Sequence, residues 1–74
     1  MKDVRAEITA NVWQVRVEQD QPVEHNDELV ILESMKMEIP VVSPVAGTVA
    51  QVKVKPEDQV NEGDVLVVID DGSE

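Results

Sequence analysis

The feature that most constrains the fold is an internal repeat, because the chain aligns with itself at an offset of 37 residues. Residues 12–32 match residues 49–69 with 8 identities in 21 positions. The matched segments include VWQVRV at residues 12–17 and VAQVKV at residues 49–54. Two copies are too few for a solenoid, which needs at least three. The repeat therefore predicts two similar units packed face to face about a pseudo-twofold axis.

Both units have the pattern of β-structure. Valines alternate with polar residues at the start of each copy, which is typical of a half-buried strand. The apolar runs at residues 29–32 and 65–69 are too short for buried helices and suit strands covered on both faces. Composition agrees, since the chain has 16 Val and 4 Ile but only 3 Leu and 4 Ala. β-Branched side chains favour sheets over helices, so we predict an all-β fold.

Turns and edges can also be assigned. The polar stretch in each copy ends in a turn, at Asn26-Asp27 and at Gly63-Asp64, and Asn and Gly are the residues that most readily become left-handed. A further alternating strand is expected at residues 4–8. Pro40 and Pro44 should confine the segment between them to the edge of a sheet or the end of a strand. Trp13, the only large aromatic residue, is expected in the core or against a sheet face.

Length and charge exclude several functions. The 74 residues fit one domain over residues 1–74, with a frayed tail at residues 70–74. Acidic residues outnumber basic residues 16 to 6, and the net charge of −10 argues against binding to nucleic acid or an anionic membrane surface. Without cysteine, and with His25 as the single histidine, the chain offers no metal site. No apolar run is long enough to span a membrane and no signal-peptide pattern is present, which predicts a cytoplasmic protein.

Catalysis by the chain alone is not expected. A domain of this size buries only about 60% of its unfolded surface, which leaves little interior for a catalytic pocket. No nucleophile is paired with a base, so we predict no catalytic residues. The sequence instead predicts a monomeric module that works with other proteins.

The segment between the two copies runs from Glu33 to Thr48 and opens with the hexapeptide Glu33-Ser34-Met35-Lys36-Met37-Glu38. Adding the offset to Lys36 gives position 73, so the repeat makes this segment equivalent to the chain ends. We therefore expect Lys36 on a projecting hairpin tip, far from both termini. Turns usually recruit Gly, Asn, Asp or Pro, and exposed methionines are costly unless something binds them. The lysine amine suits an amide link to a carboxylic acid cofactor.

The hexapeptide resembles the biotin-attachment motif of biotinyl carrier domains, and the segment PVAGTV at residues 44–49 resembles its continuation in the same family. The similarity extends from about Ile8 to Ile69. It is closest to free-standing biotin/lipoyl attachment proteins of the biotin carboxyl carrier protein type. The resemblance implies a flattened barrel-sandwich hybrid of two four-stranded antiparallel sheets. In the family, Gly usually stands where this chain has Ala10 and Asn26, and Ala10 would be strained if its φ were positive.

The resemblance also implies a function. Lys36 would be biotinylated by a biotin protein ligase that uses biotin and ATP, because a lysine amine is protonated at neutral pH and needs external activation. The chain would be a non-catalytic carrier that shuttles carboxybiotin between the biotin carboxylase and carboxyltransferase sites of a biotin-dependent carboxylase. The flanking residues Glu33, Ser34, Met35, Met37 and Glu38 would contribute to recognition.

Alternative interpretations remain open at this stage. Lipoate could be attached to Lys36 on the same fold, although lipoyl domains generally present Asp-Lys-Ala where this chain has Met-Lys-Met. The chain could also be an unmodified barrel-sandwich module that only mediates assembly. Met35 and Met37 could cap the core, and Glu33 and Glu38 could be simply solvated.

Overall fold

The computed structural model describes residues 1–72, and within them the chain forms eight strands and no helix. The strands are β1 (Lys2–Arg5), β2 (Ala10–Val15), β3 (Pro22–Val23), β4 (Glu28–Ser34), β5 (Met37–Val42), β6 (Gly47–Val52), β7 (Gln59–Val60) and β8 (Val65–Asp70). They build two four-stranded sheets, with strand orders β1-β8-β6-β3 and β5-β4-β2-β7. The strand pairings are antiparallel. The prediction of two four-stranded antiparallel sheets is confirmed.

The offset of 37 residues maps one sheet onto the other. β2 and β3 map onto β6 and β7 with identical bounds, β4 maps onto β8, and β5 maps onto β1. The order β5-β4-β2-β7 thereby becomes β1-β8-β6-β3. Even the irregularities correspond, because a register shift falls at Trp13 in β2 and at Ala50 in β6. The predicted pseudo-twofold repeat is confirmed.

The turns repeat in the same way. Asn26 and Gly63 have φ values of 76° and 91°. The Asn26 N–H donates to the Ser43 carbonyl at 2.8 Å, and the Gly63 N–H donates to the Ala6 carbonyl at 2.8 Å. The first bond ties the turn before β4 to the residue that follows β5, and the second ties the turn before β8 to the residue that follows β1. Asparagine therefore fills in one copy the role that glycine fills in the other.

The hydrophobic core lies between the two sheets and draws most on their inner strands. The apolar residues with 0–1% exposure lie in β4 and β8, with one more in β6, namely Leu29, Val30, Leu32, Leu66, Val67, Ile69 and Val49. In β4 four consecutive residues, 29–32, are buried, so both faces of this strand are covered and its apolar run lacks alternation. Burial of these branched chains is the main favourable contribution to folding.

Trp13 does not belong to this core. Its side chain is 42% exposed, so of the two expected places, the core or a sheet face, the core was wrong. Trp13 sits at the bulge of β2, where an extra residue interrupts the pairing with β4. The equivalent bulge in β6 holds Ala50, and the fold therefore needs no large side chain at this position.

Three local expectations also need correction. β1 covers Lys2–Arg5 rather than residues 4–8, because the Ala6 N–H bonds to the Asp64 carbonyl in a loop contact. Ala10 lies within β2 without a positive φ, so the anticipated strain is absent. Asp70 pairs with Thr48 as the last residue of β8, and the expected tail therefore does not begin there; residues 73 and 74 lie outside the described residues.

Candidate functional site

The hairpin between β4 and β5 carries the candidate site. Ser34 and Met37 form the last pair of the ladder, so Met35 and Lys36 are the two residues of the connecting loop. Their φ values are 51° and 65°. Positive φ at both central residues is the pattern of a type I′ turn, the two-residue connection that matches the twist of the flanking strands. The structure therefore places Lys36 at the tip of a tight hairpin.

The residue types in this turn are unfavourable for its backbone conformation. Type I′ turns favour Asn and Gly because a Cβ atom makes the left-handed region costly, by about 1 kcal/mol or more per residue. Met35 and Lys36 both carry that cost. Such local strain concentrates at functional sites. It indicates that these two side chains serve a role other than forming the turn.

The Lys36 amine is available for chemistry. Its side chain is exposed, and within residues 1–72 the structure gives it neither a hydrogen bond nor an ion pair; the ion pairs described join Met1 to Asp71 and Arg5 to Asp3. Met35 is 92% exposed and Met37 is 64% exposed. Neither methionine caps the core, so the tip presents an amine between two uncovered apolar side chains.

Acidic residues lie at the base of the hairpin. Glu33 in β4 stands directly opposite Glu38 in β5, and both side chains are exposed. Like charges at directly opposite positions weaken a sheet. This pair therefore does not stabilise the sheet. It places negative charge at the base of the hairpin, whereas Lys36 places positive charge at its tip. Strand pairing thus brings together the whole hexapeptide identified in the sequence, with Ser34 half-buried between base and tip.

Two concave surfaces of the molecule do not include the amine. One groove of about 400 Å³ lies between β1 and β5 and is lined largely by their residues, Pro40 and Val41 among them. A second, of about 640 Å³, lies beside Trp13. Lys36 lines neither of them. The described residues contain no group of acidic or histidine side chains placed to hold a metal ion, and no helix among them could cross a bilayer.

Sequence reasoning missed the exposed position of Trp13. Its residue type suggested burial, and the strand pattern did not reveal the bulge. The alignment of the two copies carried the signal, because a position occupied by Trp in one copy and Ala in the other requires no fixed core volume.

Comparison with known proteins identifies close relatives of similar length. A family model described as "Biotin-requiring enzyme" matches residues 3–69. A biotinylated protein TB7.3 homolog of Mycobacterium leprae is 50% identical over 68 residues, covering 92% of this chain and 96% of the relative. A biotin/lipoyl attachment protein of Bacillus subtilis is 44% identical over 71 residues, covering 96% of this chain and 97% of the relative.

Segments of much longer enzymes are similar as well. Pyruvate carboxylase of Bacillus subtilis is 37% identical over 67 residues, which cover 90% of this chain but 6% of the enzyme. The crystal structure of Kluyveromyces lactis urea carboxylase matches with a TM-score of 0.87 and 31% identity, covering 92% of this chain and 6% of that one. These matches, with the fold and the hairpin, show that the chain belongs to the biotin/lipoyl family and is homologous to a domain of carboxylases.

Proposed function

We propose that this chain is a biotin carrier whose Lys36 is joined to biotin through an amide bond. The observation that supports it best is the tip itself, which holds an exposed amine without a partner among residues 1–72, between Met35 and Met37. The tip keeps these residues despite their unfavourable φ values. The names and lengths of the relatives agree with this role.

Attachment is a group transfer that this chain does not catalyse. The deprotonated Lys36 Nζ attacks the acyl carbon of a biotinyl-adenylate held by a biotin protein ligase. The N–C bond forms, the C–O bond to AMP breaks, and AMP leaves with the electron pair while the amine gives up a proton. The formal charge changes from −10 to −11, because one lysine charge is lost. Bound biotin supplies a ring nitrogen that carries CO₂ between two active sites.

The chain itself contributes position and mobility. The lysine–biotin arm reaches about 12 Å from Cα, judged from standard bond lengths, so the whole domain moves between distant sites. Its partners are the biotin carboxylase and carboxyltransferase of a biotin-dependent carboxylase, as homology to carboxylase segments supports. The domain acts as a non-catalytic monomer in the cytoplasm, where ATP is available to the ligase. Attachment raises the local concentration of the cofactor at both sites.

The test is an in vitro reaction with the host's biotin protein ligase, biotin and ATP, followed by intact-mass and peptide analysis. Wild-type protein is expected to gain one biotinyl group on the peptide that contains Lys36. Lys36→Arg should gain none, whereas Lys53→Arg, the matched control on another exposed position, should be labelled like wild type. Label on Lys2, Lys53 or Lys55 in the Lys36→Arg variant would contradict the assignment.

Lipoate is the second candidate, because one relative is named a biotin/lipoyl attachment protein. Intact-mass measurement of protein purified from its native host distinguishes the two cofactors. A biotinyl increment supports the proposal, and a lipoyl increment on Lys36 overturns the choice of biotin. Native protein with no increment at all would favour an unmodified assembly module.

A further inference from the structure

A second surface of the molecule lies beside the base of the Lys36 hairpin. It is a concavity of about 640 Å³, lined by Asn11, Val12, Trp13, Glu33, Pro56 and Glu57. Together these residues form the Trp13 surface. Trp13 is 42% exposed, and Glu33, Pro56 and Glu57 are exposed as well. The surface therefore combines an uncovered indole with two carboxylates.

The pseudo-twofold repeat shows that the fold does not require this surface. The position equivalent to Trp13 is Ala50, and the position equivalent to Pro56 is Gln19. The second sheet forms the same bulge with alanine. Only the sheet that carries the Lys36 hairpin has an exposed indole, so the asymmetry points to a role in recognition.

The Trp13 surface adjoins the hairpin. Glu33 pairs with Asn11 in β2 and with Glu38 in β5, and it lies three residues before Lys36. Three fully extended residues would span about 10 Å, and the turn at Met35 and Lys36 makes the separation between Glu33 and Lys36 shorter than that. An enzyme that acts on the unmodified amine must approach the tip to within the length of one lysine side chain. A carboxylase active site is reached through the lysine–biotin arm, which is longer. The ligase is therefore the partner that must contact this part of the domain.

The chemistry of the surface fits a cationic side chain. An indole face attracts a guanidinium group, and carboxylates accept its paired N–H donors. The chain's own arginines are engaged elsewhere, since Arg5 donates to Gly63 and Asp3 and Arg16 donates to Gln14. We propose that the Trp13 surface binds an arginine side chain of the biotin protein ligase while Lys36 is acylated. This inference rests on the proposed function.

The test compares KM and kcat for biotinylation of domain variants by the host ligase. Trp13→Ala is expected to raise KM about tenfold, as loss of an interface aromatic residue does, with kcat changed less than about twofold. Trp13→Phe keeps an aromatic face and should raise KM about threefold. Glu57→Gln should raise KM several-fold at low ionic strength, and the difference should vanish near 1 M salt, where the Debye length is about 3 Å.

Asp20→Asn is the matched control, because Asp20, in the loop between β2 and β3, is the repeat equivalent of Glu57, in the loop between β6 and β7. The two residues have φ values of 71° and 79°, and both variants remove one negative charge. Asp20→Asn should leave KM unchanged. Equal effects of the two charge variants would overturn the proposal, since the ligase would then sense only net charge.

Failure of this inference and failure of the proposed function give different results. Unchanged KM in Trp13→Ala and Glu57→Gln, with Lys36 still labelled, overturns the docking proposal and leaves the carrier assignment intact. Absence of label on wild-type Lys36 overturns both. Thermal unfolding of each variant reports on its fold; where Trp13→Ala does not fold, Glu57→Gln and Trp13→Phe decide the question.

Discussion

Met35 occupies the position that Gly72 occupies in the other half of the molecule, 37 residues along the chain, and both have positive φ, at 51° and 84°. Glycine takes this conformation without steric cost. Methionine does not, because its Cβ approaches the neighbouring backbone at a cost of about 1 kcal/mol or more. At this pair of equivalent positions the strain therefore falls on Met35, next to Lys36 in the hairpin turn.

Replacing Met35 should therefore separate stability from recognition. Met35→Asn is expected to raise the free energy of unfolding by about 0.5–1 kcal/mol, since asparagine tolerates positive φ and the methionine is 92% exposed, so little burial is lost. The same variant should lower kcat/KM for biotinylation at least about fivefold, because an apolar contact for the ligase is removed. Urea denaturation and ligase kinetics measure the two effects.

Met37→Asn is the control for this prediction. Met37 is also exposed, at 64%, but it lies in β5 without a positive φ. Met37→Asn should not raise the free energy of unfolding, because asparagine is a poor strand residue. A rise in stability for both variants, or for neither, would show that backbone conformation at position 35 is not the cause.

Much of the fold followed from the repeat. Aligning residues 12–32 with 49–69 correctly predicted which strands are equivalent, because a twofold fold repeats its packing and turns along with its sequence. The exchange of Asn26 for Gly63 could be understood in advance, since both residues satisfy the same positive φ. The hairpin position of Lys36 followed because the segment between the copies has its counterpart at the chain ends.

Other features could not be predicted from residue types. Neither methionine nor lysine is a turn residue, so nothing in the hexapeptide indicates positive φ at Met35 and Lys36. The bulge at Trp13 depends on long-range pairing between β2 and β4, which a strand pattern does not encode. Asp70 was assigned to the tail because it lies near the end of the sequence, yet its strand pairing with Thr48 extends β8 to include it.

The turn at Gly63 offers a direct test of the repeat. Gly63→Asn should change the free energy of unfolding by less than about 0.5 kcal/mol, because Asn26 adopts the same conformation at the equivalent position. Gly63→Ala should cost about 1–2 kcal/mol at the same site, although no atom would crowd the new methyl group. Equal losses for the two substitutions would indicate a steric cause instead of a conformational one.

Two aspartates at equivalent positions of the repeat, Asp27 and Asp64, each stabilise the turn that ends the polar stretch of their copy. The Asp27 carboxylate accepts a hydrogen bond from the Glu24 N–H at 2.9 Å, and the Asp64 carboxylate accepts one from the Asn61 N–H at 2.9 Å. Asp27→Ala and Asp64→Ala should each cost about 1 kcal/mol of stability. The double variant should cost their sum within about 0.5 kcal/mol, because the two turns share no partner. Asp27→Asn, which keeps an acceptor oxygen, should lose less; a strongly non-additive double variant would mean that the halves are coupled.

Gly47 and Ala10 are equivalent residues whose surroundings differ. A Cβ on Gly47 would lie 2.9 Å from Ile69 Cγ2 and would collide with the Asp70 carbonyl oxygen, whereas the Ala10 methyl is accommodated and only 6% of the residue is exposed. Gly47→Ala should therefore cost about 2 kcal/mol, because the backbone of β8 must move to admit the methyl group.

Ala10→Gly should cost about 1–1.5 kcal/mol for the opposite reason, since it removes a buried methyl group and loosens the unfolded chain. Chemical denaturation measures the loss in the free energy of unfolding for each variant. Both variants should be destabilised, Gly47→Ala by a steric collision and Ala10→Gly by the loss of a buried methyl group. Gly47→Ala should also weaken protection of the Thr48–Asp70 pairing against hydrogen exchange, because only that substitution displaces β8. If Gly47→Ala were as stable as wild type, the close approach of β6 to β8 would not constrain the fold, and glycine at position 47 would need another explanation.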